Sequence, residues 1–289
     1  MNDAATLCYF GSGLFEKEQT KLTITALAIF DSAYAVVINL LSLTGICLVY
    51  KRDMTRTTKL LCLQFVINLM IAFVAMCVSL YPFIDVLHQY WFTFVLPSII
   101  ACLTLGSSIN LLTITIDRYL LIVRGRFYLK WKKNFVFIYV LCIGVCISFS
   151  LLFYSSLKML GCGLHMIVLC IFLFLMTTMT VTTIIFNTAM MRYVTNKIST
   201  IDESQRNRKR KMVRTVFFML LSAGFCQSVL VFLITAFITF VWTNMSYSVG
   251  SEIVLIVFYL LLVFMCGTIP LTYVLRNRRI VRALFWQWK

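Results

Sequence analysis

The stretch NLLTITIDRYLLIVRGRFYLKWKK, residues 110–133, changes character at its midpoint. Its first half is an apolar run that ends on an acid and a base side by side, Asp117 and Arg118. Its second half is densely basic. A greasy segment closed abruptly by charge is what a helix leaving hydrocarbon for water needs, because about 20 apolar residues span a bilayer core.

The rest of the chain fits that solvent. Of 289 residues, 61% are hydrophobic and only 12% charged, with a formal net charge of +16. Soluble domains carry about 25% charged residues, so this chain lacks the polar cover to hide its apolar surface in water. Seven runs are long enough to span: 22–50, 59–82, 92–123, 134–157, 164–192, 212–242 and 252–274. None alternates with the two-residue period of a membrane barrel. The expected fold is therefore all-α, a seven-transmembrane helix bundle over 22–274. A retained N-terminal tail, 1–21, precedes it, without the basic start and cleavage site of a signal peptide. A short amphipathic cytoplasmic helix, 275–289, follows it.

The bases orient the bundle. Counting the helix ends, all but Lys17, Lys21 and Lys158 of the 26 lysines and arginines fall between spans one and two, three and four, five and six, or after span seven. Positive residues mark the cytoplasmic side, which predicts a multi-pass plasma-membrane protein with its N-terminus outside and its C-terminus inside. The sequon Asn244-Met245-Ser246 then falls outside, where glycosylation occurs. The run RNRKRK, 206–211, reads as an anionic-lipid contact beside a membrane span rather than a nucleic-acid patch. A cytosolic protein could use the same face.

Nine of the eleven cysteines sit in or beside apolar runs, where cysteine behaves as a small hydrophobe. Cys8 and Cys162 fall in extracellular stretches, either as a disulfide or as two free thiols. The two histidines, His88 and His165, lie far apart in sequence. No metal-spaced cluster, Ser/His/Asp constellation or phosphate-cradling loop is visible, so neither an enzyme nor a cofactor is expected.

Asp117-Arg118-Tyr119 closes the third of seven spans, and the seventh ends in Pro270-Leu271-Thr272-Tyr273. With these two motifs in register, the chain resembles the rhodopsin-like G-protein-coupled receptors along its whole length in outline. The tail IPLTYVLRNRRIVRALFWQW, 269–288, is similar to olfactory-receptor endings, and FVINLMIAF, 65–73, to the second span of some fish-type odorant receptors. The resemblance implies a small-molecule ligand entering from outside and a heterotrimeric G protein engaged at the cytoplasmic face. Asp117, Arg118, Tyr119, Pro270 and Tyr273 would form the switch. Arg118 is a permanent cation. Asp117 would hold it in the closed bundle and release it to the G protein on opening.

The pattern also breaks. Ile269 precedes Pro270 where the family has Asn. Asn68 and Leu69 offer no carboxylate in span two, which argues against a bound sodium ion. WFTF, 91–94, lacks the family's bridging cysteine, span four has no tryptophan, and Cys226-Gln227-Ser228-Val229 replaces Cys-Trp-x-Pro. Lys209, Arg210 and Lys211 leave no acid at the foot of span six to restrain Arg118, which predicts high ligand-independent activity. One face of span three offers Pro97, Ile100, Ala101, Thr104 and Ser108, with Gln227 and Tyr259 as further anchors. No acid there would fix an amine, and no lysine in span seven would carry retinal, so a neutral, mostly apolar ligand such as an odorant is expected. A small transporter and a receptor that no longer signals are the rival readings. No internal repeat supports the former.

Overall fold

The computed structural model describes residues 18–50, 55–79, 95–125, 128, 140, 143–155, 161–198, scattered positions between 225 and 236, and 249–286. All the regular structure among them is helical. In chain order the helices are α1 (Glu18–Tyr50), α2 (Arg56–Ser79), α3 (Leu96–Val123), α4 (Ile143–Ser155), α5 (Gly161–Ile198), α6 (Val249–Arg276) and α7 (Arg278–Trp286). Five of them, α1, α2, α3, α5 and α6, are long and apolar enough to cross a membrane. They match five of the seven apolar runs in the sequence. The fourth run is described as helix mainly over α4, and most of the sixth lies outside the described residues.

The ends of these helices follow from local chemistry. Thr55 caps α2: its hydroxyl accepts the Thr58 N–H at 3.3 Å and its carbonyl accepts the Lys59 N–H at 3.1 Å. That satisfies donors which otherwise have no partner in a first turn, and it makes Arg56 the first residue of the helix. α3 starts without a side-chain cap, and Pro97 lies in its first turn, where a missing N–H costs nothing. Asn277 joins α6 to α7. Its N–H reaches the carbonyls of Tyr273 and Val274 at 3.1 and 3.0 Å, and its Oδ1 accepts the Arg279 N–H at 3.3 Å.

α1 packs on α2, α6 and α7, α2 also on α3 and α6, and α3 on α5. Three apolar clusters fill the interfaces. One joins α1, α2, α3, α6 and α7 around Ile46, Phe65, Ile114 and Tyr273. Another joins α3, α4 and α5 around Leu105, Phe149, Phe172 and Met176. A third joins α1, α2 and α6 around Ala35, Ala72 and Val263. Small residues set the closest approaches. A Cβ on Gly267 would come within 3.2 Å of the Ala35 backbone, and one on Gly45 would overlap the Ile280 side chain. Outward faces stay apolar, with Phe30 and Phe174 exposed at 75% and 70%. Exposure of that size on spanning-length helices suits lipid rather than water.

The short α7 is strongly amphipathic. Ile280 is fully buried against α1, while Arg279 and Arg282 are exposed. Gly45 provides the notch that lets Ile280 reach the α1 backbone.

Candidate functional site

The charged triplet lies in the last two turns of α3, beside the first turn of α2. Asp117 is fully buried, and its partners come from α2: Arg56 Nε lies 3.4 Å from Oδ1, and the Thr57 hydroxyl donates to Oδ2 at 3.0 Å. A buried carboxylate without such compensation would cost several kcal/mol. The sequence suggested Arg118 as the partner of Asp117. The ion pair in the structure is with Arg56, which the Thr55 cap places at the helix start. The Arg56 guanidinium carbon also lies 5.9 Å from the centre of the Tyr128 ring, within cation–π range. No ion pair of that kind is made by Arg118, whose buried Nε has no hydrogen-bond partner among the described residues. Tyr119 turns the other way and meets the Phe186 ring of α5 edge-on, centroids 4.9 Å apart.

Tyr273 is buried one turn from the end of α6 and packs on Phe65 at 5.8 Å between centroids. Four residues on, Asn277 Nδ2 donates to the Tyr50 hydroxyl at 3.3 Å. The linker residue therefore ties the junction of α6 and α7 to the end of α1.

Pro270 stands inside α6 and has no N–H to give the Cys266 carbonyl four residues earlier. Two other helices supply donors. Asn39 of α1 donates to that carbonyl at 2.9 Å, and Asn68 of α2 at 3.4 Å. Asn68 continues into a buried amide network. Gln64 Nε2 donates to Asn68 Oδ1 at 3.1 Å and also to the Ser107 hydroxyl. Asn110 Nδ2 reaches Gln64 Oε1 at 2.9 Å and the Leu60 carbonyl at 3.1 Å. The network is built from neutral groups on α1, α2 and α3. Asn39 and Gln64 escape a sequence reading because each looks like an ordinary polar interruption in an apolar run. The usable signal was Pro270, since the carbonyl it leaves unpaired in hydrocarbon needs a donor from elsewhere.

The expected ligand stripe on α3 splits between two interfaces. Ala101 is buried in the α3–α4–α5 cluster, whereas Ile100 packs towards α1, α2 and α6. Thr104 and Ser108 are both buried, and their hydroxyls bond back to their own helix, at 2.7 Å to the Ile100 carbonyl and 3.0 Å to the Thr104 carbonyl. The Tyr259 hydroxyl donates across to the Ala75 carbonyl of α2. Gln227, Cys8 and Asn244 lie outside the described residues, as does the side chain of Cys162. Among the described residues no group of three His, Cys, Asp or Glu side chains could hold a metal ion.

Neither a protein-family model nor any curated protein matches the chain.

Proposed function

We propose that this chain is a rhodopsin-like receptor: a seven-helix plasma-membrane protein that takes a small neutral ligand from outside and activates a heterotrimeric G protein through Arg118. Arg118 itself carries the reading. Its buried Nε has no partner among the described residues, while the neighbouring acid is engaged by another helix. A buried guanidinium nitrogen left without an acceptor costs stability. Such a cost is understandable where a second protein supplies the missing acceptors, and the carbonyl-rich end of a G-protein helix offers them.

Three further features support the reading. Five helices have spanning length and composition. Pro270 interrupts α6 one turn before Tyr273, giving that helix a place to bend. α7 lays an amphipathic face against the foot of α1 and leaves Arg279 and Arg282 exposed, as a helix lying on anionic headgroups requires. Because Thr104, Ser108 and Tyr259 already spend their hydroxyls within the bundle, ligand recognition would rest mainly on shape and apolar contact. A membrane recruitment assay tests the reading. Wild type should recruit a G-protein α subunit, and Arg118→Ala should lose recruitment at unchanged surface expression. Recruitment unaffected by Arg118→Ala would refute it.

A further inference from the structure

We infer that Arg56 is a positioning residue for Arg118: by occupying Asp117, it keeps the neighbouring guanidinium off its own helix and available for coupling. The inference deepens the receptor reading and rests on it.

One buried negative charge has two guanidiniums within its neighbourhood. Arg118 follows Asp117 directly, so its side chain leaves α3 about 100° further round the helix. Arg56 approaches from α2, held at the first helical position by the Thr55 cap. The geometry favours Arg56, whose Nε is 3.4 Å from Oδ1 while Thr57 Oγ1 sits 3.0 Å from Oδ2. Both carboxylate oxygens are thereby engaged from one helix turn. Arg56 is itself only 17% exposed, so this pair is not a solvated surface bridge of negligible strength. The Tyr128 ring on the same guanidinium extends the contact to the segment that follows α3. A single cation thus joins α2, α3 and Tyr128 beyond it, and Arg118 Nε is left without a hydrogen-bond partner among the described residues.

Removing the Arg56 charge reverses the allocation. Asp117 would keep Thr57 but lose its counter-ion, and a buried carboxylate left so is strongly unfavourable. The adjacent cation in the chain is Arg118. Asp117 would draw it in, and the group needed for coupling would be sequestered. Neutralising Asp117 in the same molecule frees Arg118 again. A purely structural role for Arg56 has no such reversal in exchange per folded molecule, because neutralising Asp117 would then relieve only the loss of stability.

The test uses the full chain with Arg56→Gln, Asp117→Asn, the double variant and Arg56→Lys. Ligand-independent nucleotide exchange on purified heterotrimers is normalised to folded protein, and each variant is also melted in detergent. Arg56→Gln should lower exchange about tenfold, within the range common for coupled sites. The double variant should return it towards wild type, and Arg56→Lys should keep most of it. In the melts, Arg56→Gln should cost less stability when Asp117 is already Asn. If the double variant is as slow as Arg56→Gln, or Arg56→Gln exchanges like wild type, Arg56 does not position Arg118. A wild type that activates no heterotrimer overturns the receptor reading and the positioning role together. In that case the melts still decide whether the ion pair exists.

Discussion

Asn39→Ala should destabilise the protein mainly because Pro270 is present. Asn39 Nδ2 sits 2.9 Å from the Cys266 carbonyl, the closer of two amide donors that replace the N–H missing at Pro270. Interhelical hydrogen bonds in membranes average about 0.6 kcal/mol and reach about 1.7 kcal/mol. A carbonyl with no N–H from its own helix belongs near the upper end. Asn68 remains at 3.4 Å and recovers part of the loss, so we expect about 1 to 1.5 kcal/mol from Asn39→Ala. In a Pro270→Ala background the helix supplies its own donor, and the cost of Asn39→Ala should fall to about 0.5 kcal/mol or less, mostly lost packing. The coupling between the two positions is then about 1 kcal/mol, large enough for a double-mutant cycle. The assay is thermal unfolding of the four purified proteins in one detergent, with surface expression as a check on folding. Equal costs in the two backgrounds would refute the claim that Asn39 serves the carbonyl vacated by Pro270.

Gly45→Leu should displace α7, since its side chain would take the space of Ile280; burial of Ile280 is worth roughly 2 kcal/mol, and faster protease cleavage near residue 280 would report the release. Thr55→Ala removes the cap of α2 and should cost about 1 kcal/mol, while also loosening Arg56 from Asp117, so melting temperature and ligand-independent coupling should fall together. Phe149→Ala opens a cavity between α3, α4 and α5 and should cost about 3 to 5 kcal/mol in unfolding experiments, making it a positive control for folding loss without charge loss. Tyr259→Phe removes the donor to the Ala75 carbonyl and should lower stability by about 0.6 kcal/mol, with ligand affinity unchanged once a ligand is found.

Five of the seven expected spans were legible because a long apolar run without two-residue alternation reads as a helix that ends near charge. The charged triplet was legible for the same reason, standing at such an end. Arg56 was not, because it looked like one more base among those that orient the bundle. Only folding shows that the Thr55 cap and the α2–α3 packing bring it to Asp117 across 61 residues of sequence. The amide network was hidden similarly, since Asn39 and Gln64 are unremarkable singly and acquire meaning from the carbonyl that Pro270 leaves open. The ligand stripe failed at Ile100 and Ala101 for a different reason. Neighbouring residues on a helix diverge by about 100°, so in a tight bundle they face different helices. Hydroxyls such as Thr104 and Ser108 can satisfy themselves on their own helix, and polarity there carries no information about a ligand.

Nucleotide exchange on purified heterotrimers, with the protein in lipid nanodiscs, tests the receptor reading most directly. At least one heterotrimer should exchange faster than with empty discs, and Arg118→Ala should return it to the empty-disc rate. A folded wild type that leaves every heterotrimer at that rate, or an Arg118→Ala protein as active as wild type, would contradict it.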